Sequence, residues 1–221
     1  MLKTESKFRL AYLPLKIFVK PIIEAFWIKG VTGLDNIPKN GGAVLAANHE
    51  SYFDFLCLST VSPRPIHYLA GEVFFKNPFS RYFMNLTGQI KIERYGENRK
   101  ESARNALFQA VQYLNTDQLV GIFPEGTRSS TGKLQKAYSG VVKIALLSKA
   151  SIIPIGIKGT YEIMSRHDRH PRVKKICEIN IGEPITFTDY YDKENDELTL
   201  ESLTRTIMKK IAILSDEDYN C

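Results

Sequence analysis

The sequence predicts an α/β fold with a mostly parallel central sheet flanked by helices. From residue 30 onward, short apolar runs alternate with longer stretches of helical periodicity. Strands separated by single helices are typical of a parallel sheet with helices on its faces. The chain has 221 residues, 43% of them hydrophobic, and is long enough to bury a full core without disulfides. We therefore expect an N-terminal helical segment, residues 1–29, and one α/β domain, residues 30–221.

The N-terminal segment is predicted to be an amphipathic helix over residues 8–29. Its charged residues share one narrow stripe at helical spacing. The stripe consists of Arg9, Lys16, Lys20 and Glu24. Pro14 and Pro21 interrupt the periodicity. Because proline inside a helix removes a hydrogen bond, we expect two short helices rather than one.

The apolar arc of this segment is wider than a helix with one side in water requires, and it includes Phe18, Phe26 and Trp27. A helix with basic residues, a tryptophan and such an arc favours docking on a membrane surface. In that interpretation the aromatic side chains lie among acyl chains and the basic residues of the stripe face anionic head groups. The alternative is a helix packed against its own domain.

The remaining elements follow in order, each from its hydrophobic periodicity. A turn is expected at residues 33–38. Strands are predicted at residues 43–47, 66–70, 89–92, 119–123, 151–157 and 176–181. Helices are predicted from near Ser51 and at residues 79–86, 101–114, 141–148 and 200–214. Pro154 cannot donate to a strand ladder, so its strand is expected at an edge of the sheet or at a bulge.

Composition narrows the function classes. The net charge of +6 suggests an anionic partner, and nucleic acid, anionic lipid and phosphorylated small molecules all fit that charge. Three scattered cysteines, Cys57, Cys177 and Cys221, argue against a disulfide scaffold or a zinc site and for a reducing compartment. The sequence also lacks the glycine-rich loop of nucleotide triphosphatases and the serine elbow of α/β hydrolases.

Hydropathy bears on location. No stretch of the sequence has the roughly 20 mostly apolar residues that a membrane-spanning helix needs. No signal-type cleavage site follows the N-terminal segment. We therefore expect a protein that is cytosolic or rests on the cytoplasmic face of a membrane, and the amphipathic segment favours the membrane.

An imidazole and a carboxylate follow the strand at residues 43–47. His49 and Asp54 are five residues apart, which on one straight helix would point them about 140° away from each other. They can meet if His49 precedes the helix, and Ser51 with Asp54 forms a capping-box pattern that starts a helix there. A carboxylate on one ring nitrogen leaves the other able to take a proton from a hydroxyl group. The alternative is that Asp54 only caps the helix.

A second polar string, residues 123–129, follows the strand at residues 119–123. Ligands of open α/β sheets bind beyond the carboxyl ends of the strands. Gly126 lets the backbone approach a ligand, Thr127 can donate a hydrogen bond and Arg128 offers a planar fork for a phosphate. Glu125 cannot bind phosphate and is expected to orient Arg128 or a substrate hydroxyl. The alternative is a surface turn with a local ion pair.

Residues 166–175 form the one run of basic charge. The favoured interpretation is a solvated loop. The alternative is a contact with lipid head groups or with the phosphates of an acyl donor.

Four ordered stretches resemble the motifs of the glycerolipid acyltransferases, the 1-acylglycerol-3-phosphate acyltransferases in particular. Asn-His-x-Ser-x-x-Asp is met in full at residues 48–54, and Phe-Pro-Glu-Gly-Thr-Arg-Ser is met in full at residues 123–129. Two shorter motifs are similar to Gly88, Ile90, Ile92 and Arg94 and to residues 153–155. The resemblance covers about residues 31–185.

The resemblance implies an enzyme of phospholipid biosynthesis that moves a fatty acyl group from acyl-CoA or acyl carrier protein to the free hydroxyl of lysophosphatidate, giving phosphatidate. It implies no cofactor beyond that co-substrate and no metal. His49, held by Asp54, would be the general base. Arg94, Arg128 and the Gly126 backbone would bind the glycerol phosphate. A membrane surface is an implied partner, and nucleic acid is not.

Two departures leave the acceptor open. Residues 137–140 read Ala-Tyr-Ser-Gly where the family often has Phe-Lys-Lys-Gly, and Glu93 stands where aspartate is common. Another lysophospholipid or a glycolipid is therefore an alternative acceptor. The competing classes are a thioesterase and a non-enzymatic peripheral lipid-binding protein. The Arg128 loop argues against the first, and the joint presence of His49 and Asp54 argues against the second.

Overall fold

A computed structural model describes residues 12–219 of the chain. Its strands are β1 (Ile28–Thr32), β2 (Ala43–Ala47), β3 (Ile66–Gly71), β4 (Ile90–Ile92), β5 (Leu119–Ile122), β6 (Ser151–Lys158) and β7 (Cys177–Ile181). They form one seven-stranded sheet in the order β1-β7-β6-β2-β5-β3-β4. Neighbouring strands are parallel except for β6 and β7. The predicted α/β fold with a mostly parallel central sheet is confirmed.

Helices cover both faces of the sheet. They are α1 (Lys20–Phe26), α2 (Phe53–Val61), α3 (Pro78–Leu86), α4 (Arg99–Asn115), α5 (Gly140–Ser148), α6 (Thr160–Ile163) and α7 (Glu197–Ser215). A π-helical turn, Leu15–Val19, leads into α1, and short 3₁₀ turns lie at Leu34–Asn36, Glu72–Phe75 and Thr188–Tyr190. The core on one face includes residues of α1, α2 and α6, and the core on the other face includes residues of α4, α5 and α7.

Strand β2 shows how the sequence builds both cores at once. All five of its residues are buried, as expected for a central strand covered on both sides. Because side chains alternate along a strand, Ala43, Leu45 and Ala47 join the core beneath α1 and α2. Val44 and Ala46 join the opposite core. The polar residues that follow β2 therefore start from a fixed position at the centre of the sheet.

Most predicted strands and helices of the domain are found within about two residues of their predicted ends. The prediction of a helix over residues 28 and 29 is wrong, because Ile28 begins β1. That strand forms on β7, with Ile28 opposite Cys177 and the Lys29 ammonium 2.6 Å from the Glu178 carboxylate. A partner this distant in sequence leaves no local signal.

Of the two positions predicted for Pro154, an edge of the sheet or a bulge, the edge is wrong, because β6 lies between β7 and β2. Proline is tolerated because the hydrogen-bond ladder between β6 and its neighbour β7 is interrupted at this position. Strand β7 ends at Ile181, and the next bridge joins Ile152 to Ile185. The Pro154 carbonyl still accepts a hydrogen bond from the Gly182 N–H at 2.8 Å. This irregular ladder is the kind of site where proline occurs within a sheet.

The N-terminal segment is helical across both prolines. Residues 12–14 are helical, the π-helical turn follows, and α1 completes the segment. Pro21 lies in the first turn of α1, where proline is well tolerated. The prediction of two separate helices is therefore wrong for residues 12–26. Residues 8–11, including Arg9 of the predicted stripe, lie outside the described residues.

Lys16 caps the end of α2. Its ammonium donates to the carbonyl oxygens of Ser59 at 3.4 Å, Thr60 at 2.8 Å and Ser62. The last carbonyls of a helix lack helical partners and carry the negative end of the helix dipole, so a cation is stabilising there. The expectation that the basic residues of the stripe face head groups is thus wrong for Lys16. The charge fastens the N-terminal segment to the domain instead.

We expect Lys16→Met to lower the free energy of unfolding by about 1–3 kcal/mol, because three half-buried carbonyls lose a charged donor. Chemical denaturation followed by circular dichroism measures this change. The matched control is Lys20→Met, whose lysine pairs with Glu24 on the surface of α1 at 3.4 Å. Such a pair is worth less than about 0.5 kcal/mol. Equal effects of the two substitutions would contradict the capping role.

Candidate active site

The two polar strings lie side by side because their strands are neighbours. Strands β2 and β5 are parallel, with Ala46 opposite Ile122, so residues 48–54 and 123–129 both leave the sheet at its carboxyl edge. A backbone hydrogen bond joins the strings directly, from the Ser129 N–H to the His49 carbonyl at 2.7 Å. This edge is where open α/β sheets bind their ligands.

His49 and Asp54 are in contact. The Nδ1 atom of His49 lies 2.7 Å from Oδ2 of Asp54, and the Asp54 side chain is fully buried. The backbone N–H groups of Glu50 and Ser51 donate to the same oxygen at 2.7 and 2.8 Å. The Thr160 hydroxyl donates to the other oxygen, Oδ1. Both oxygens of this carboxylate are thus held by hydrogen bonds within the protein.

The local sequence explains this arrangement. Helix α2 begins at Phe53, and the Ser51 hydroxyl accepts a hydrogen bond from its N–H at 3.0 Å. Asp54 in the first turn reaches back to the Ser51 N–H. Half of the predicted capping box is therefore present, because the Asp54 carboxylate accepts from the Ser51 N–H whereas the Ser51 hydroxyl accepts from the Phe53 N–H rather than from that of Asp54. It leaves His49 just before the helix, so the imidazole meets the carboxylate from outside. Asp54 therefore caps the helix and holds the histidine together.

The His49 ring is held in one plane. It stacks on Phe123 with ring centroids 4.0 Å apart, and its side chain is only 11% exposed. An ionised carboxylate can only accept hydrogen bonds, so Nδ1 of the neutral imidazole donates to Asp54 and Nε2 keeps its lone pair. The arrangement supplies an oriented base with one free nitrogen.

Glu125 positions the histidine loop. One carboxylate oxygen accepts from the His49 N–H at 2.8 Å and the other from the Gln135 N–H at 2.9 Å. The residue is 3% exposed, and burial raises the pKa of Glu125 to about 8. These contacts differ from the expectation that Glu125 orients Arg128 or a substrate hydroxyl. Both oxygens are instead used within the protein.

Gly126 and Thr127 form the tip of this loop. Gly126 has a positive φ of 70° and closes a turn with its N–H on the Phe123 carbonyl at 3.0 Å. A Cβ atom here would lie 3.0 Å from the Tyr138 ring, so glycine is required for both conformation and space. Thr127 is half-buried beside it.

Three arginines, Arg128, Arg94 and Arg166, lie within electrostatic reach of one another. The Arg128 guanidinium lies 3.5 Å from the centre of the Tyr52 ring, a cation–π contact that fixes its direction. Arg94 follows β4 and lies against Gly71, where an added Cβ would be 3.8 Å from the guanidinium. Burial lowers the pKa of Arg128, and the nearby charges of Arg166 and Arg94 lower it further. A cluster of guanidinium groups of this kind has the chemistry to bind an anion.

Residues 166–175 are exposed apart from the half-buried Asp168, as predicted for a solvated loop. The chain just before this loop is fastened to the site, because the Ser51 hydroxyl donates to the Met164 carbonyl at 2.6 Å. The indole N–H of Trp27 donates to the Arg172 carbonyl at 2.8 Å. Both contacts join residues distant in sequence, which is why periodicity and composition do not show them. The exposed Arg166 side chain is thus held near Arg128.

Asn48 and Glu50 complete the buried part of the site. The Asn48 side chain bonds both the N–H and the C=O of Ile157 at 2.8 Å, which closes the end of β6 on β2. It also donates to Glu50 at 3.2 Å. Burial, then the negative charge of Asp54, raises the pKa of Glu50 to about 9. Sequence analysis gave neither residue a role.

Residues 12–219 contain neither a metal-binding cluster nor a membrane-spanning helix. Within them no group of histidine, cysteine and carboxylate side chains has an arrangement that could hold a metal ion. In the same part of the chain, each helix is too short or too polar to cross a bilayer.

A folded-state pKa of about 9 for Glu50, against an ordinary 4.5, predicts a pH-dependent stability. The fold prefers the protonated acid, so this stabilisation is complete below the ordinary pKa and is lost as pH rises toward 9. We expect the melting temperature of Glu50→Gln, relative to that of wild type, to increase as pH rises from about 5.5 to about 8.5. Differential scanning calorimetry at both pH values measures it, with the exposed Glu201→Gln as control. A difference independent of pH would contradict the assignment.

Comparison with known proteins agrees with this geometry. The acyltransferase family model matches residues 30–158, more than half of the chain. A 1-acyl-sn-glycerol-3-phosphate acyltransferase of Bacillus subtilis is 27% identical over 184 residues, which cover 83% of this chain and 86% of that protein. A protein of the same name from Borreliella burgdorferi is 29% identical over 156 residues, covering 69% of this chain and 60% of that protein.

A solved structure shares the fold. The 1-acyl-sn-glycerophosphate acyltransferase PlsC from Thermotoga maritima gives a TM-score of 0.72 over 95% of this chain and 81% of that chain, at 21% sequence identity. The family match includes the strands and loops that carry His49, Asp54 and Arg128. The chain is therefore an enzyme and belongs to the acyltransferase family, together with these 1-acyl-sn-glycerol-3-phosphate acyltransferases.

Proposed function

We propose that this enzyme moves a fatty acyl group from acyl-CoA or acyl carrier protein to the free hydroxyl of lysophosphatidate, giving phosphatidate. The observation that carries the proposal is the His49 imidazole, held by the buried Asp54 next to an arginine cluster. A base and an anion-binding site at this proximity fit an acceptor that has both a hydroxyl and a phosphate. The names of the curated relatives support the same acceptor.

The reaction follows from the free nitrogen of His49. Nε2 takes the proton of the acceptor hydroxyl while the oxygen attacks the thioester carbonyl carbon. Asp54 stabilises the imidazolium that forms. The tetrahedral intermediate then collapses, the carbon–sulfur bond breaks, and the imidazolium returns a proton to the leaving thiolate. The net change is one ester bond formed and one thioester broken, with no covalent enzyme intermediate.

The arginine cluster binds the acceptor phosphate in this proposal. Arg128 is held by Tyr52, and Arg94 and Arg166 approach it from two other loops. Guanidinium groups bind phosphate through paired charge-assisted hydrogen bonds. Arg94 also lines a cavity of about 260 Å³ together with Arg99 and Lys100. That cavity offers the phosphates of the donor a place separate from Arg128.

Apolar side chains of the N-terminal segment support docking on a membrane. Those exposed are Leu13, Ile17, Phe18, Ile22 and Phe26. Trp27, by contrast, packs on Phe53 with ring centroids 5.4 Å apart. The segment thus combines a buried edge, fastened by Lys16 and Trp27, with an apolar edge in water. Such a helix is expected in a bilayer interface, close to an acceptor that is itself a lipid.

The first test removes the base. His49→Ala should reduce transfer to background, because no other group of the site can take the hydroxyl proton. Asp54→Asn should lower the rate by about 10²–10⁴-fold, the usual contribution of a supported general base. Purified protein, acyl-CoA and lysophosphatidate are incubated, and the product is identified by mass spectrometry. Near-normal turnover by a correctly folded His49→Ala protein would falsify the mechanism.

The second test separates the two substrates. Arg128→Ala should raise KM for lysophosphatidate, with about 1.5–3 kcal/mol lost in transition-state binding, and should leave KM for the acyl donor unchanged. Arg128→Lys keeps the charge without the fork and should lie between the two. Arg205→Ala, on the exposed side of α7, is the control. An increase in the donor KM instead would assign this loop to the phosphates of the donor.

A further inference from the structure

Helix α3 has its apolar face in water. Phe79, Tyr82, Phe83 and Leu86 recur at the spacing of one helix face, which in a globular domain normally faces the core. Here the first three are 83%, 67% and 51% exposed. No residue of α3 is buried. In α4, by comparison, the corresponding apolar face is buried through Ala106, Ala110 and Leu114.

The exposed face lies beside the arginine cluster. Helix α3 follows β3 through the 3₁₀ turn Glu72–Phe75, in which Val73 is also exposed. Phe74 of this turn contacts the Tyr52 ring edge-on, with centroids 5.9 Å apart. Tyr52 in turn holds Arg128. The turn that leads into α3 is therefore connected to Arg128 through the Phe74 and Tyr52 rings.

The elements that carry the two exposed apolar surfaces both contact the start of α2. Trp27, which follows α1, packs on Phe53, and Phe74, in the turn before α3, packs on Tyr52. Phe53 and Tyr52 are consecutive residues, and His49 lies just before them in the sequence. The N-terminal segment and the turn into α3 are thus both anchored at the segment that carries His49.

Charge indicates what covers the α3 face. Lys76 and Arg81 are exposed on and next to α3, and neither forms an ion pair with any residue between 12 and 219. Aromatic side chains flanked by unpaired basic ones match a bilayer interface with anionic head groups. A second copy of this chain would bring the same positive charges together, so charge complementarity favours the lipid surface.

We propose that α3, together with Val73, is a second membrane-inserting surface that places the arginine cluster against an anionic bilayer. Phe79, Tyr82 and Phe83 enter the interface, and Lys76 and Arg81 bind head-group phosphates. Stable anchoring to a bilayer generally takes two signals. The N-terminal segment supplies one of them and α3 the other. The inference rests on the proposed function only for the identity of the lipid acceptor.

The test measures binding of the full-length protein to vesicles of phosphatidylcholine with and without phosphatidylglycerol, by co-flotation. The double variant Phe79→Ser, Phe83→Ser should partition about tenfold less onto anionic vesicles, because two large apolar side chains no longer enter the interface. Phe108→Ser is the matched control, since Phe108 is 63% exposed but lies on α4. Ile17→Ser with Phe18→Ser tests the N-terminal surface separately. Lys76→Gln with Arg81→Gln should reduce only the binding that depends on phosphatidylglycerol and salt.

Three results would overturn the inference. In the first, the α3 double variant binds anionic vesicles as wild type does. In the second, wild type is a dimer that the variant converts to a monomer without losing vesicle binding, so a second copy covers the face. In the third, the variant loses thermal stability but keeps vesicle binding, so another part of the chain covers it.

Activity separates this inference from the proposed function. On a short-chain acceptor dispersed as monomers, the α3 variant should keep wild-type kcat/KM, and on the same acceptor class in a bilayer it should lose about as much as it loses in vesicle binding. If wild type acylates no lysophosphatidate but the α3 variant still loses vesicle binding, the membrane surface stands and the acceptor assignment fails. If wild type acylates lysophosphatidate as proposed but the α3 variant binds vesicles as wild type does, the acceptor assignment stands and the membrane surface fails.

Discussion

The candidate active site depends on one buried carboxylate. Asp54 has no exposed surface and accepts hydrogen bonds from His49, Glu50, Ser51 and Thr160. An ionised group in such a position is costly unless donors surround it. The four donors come from the loop after β2 and from α6, so satisfying this single charge fixes both segments relative to α2. The His49 imidazole is one of these donors, so the hydrogen bonds that stabilise the fold also orient its ring.

A second carboxylate links the other loop to this arrangement. Glu125 binds the N–H groups of His49 and Gln135, and the Ser129 N–H binds the His49 carbonyl. The base and the arginine loop are therefore held at a fixed separation by hydrogen bonds within the protein. Preorganised polar groups of this kind need little rearrangement as the reaction proceeds. Burying the carboxylates of Asp54 and Glu125 is costly, and it gives the site a rigid geometry.

The parts that sequence analysis predicted depend on short-range patterns. The capping pattern of Ser51 and Asp54 spans four residues and shows how His49 and Asp54 can meet, and the family motif favoured that arrangement over a helix cap alone. Strand and helix positions followed from periodicity in the same way. The prediction also identified Arg94 and Arg128, because family motifs carry them.

The parts that it did not predict depend on partners far along the chain. Strand β1 forms only on β7, Lys16 meets carbonyls at residues 59–62, and Arg166 reaches the site because Ser51 holds the Met164 carbonyl. Helix α3 was predicted as a helix, but periodicity identifies an apolar face without showing whether the fold covers it. The backbone contacts of Glu125 with His49 and Gln135 were not predicted for a related reason, since they depend on burial and on residues brought together by the fold.

The contacts that hold residues 12–27 on the domain have a practical consequence for preparing a more soluble form of the enzyme. Removing the N-terminus to improve solubility would strip the lysine from the last turn of α2 and the tryptophan from the Arg172 carbonyl. Such a shortened protein would lose supports at both ends of the helix that presents Asp54. Polar replacement of outward-facing residues such as Ile17 and Phe18 keeps those supports, so detergent-free preparations are better sought by surface redesign than by truncation.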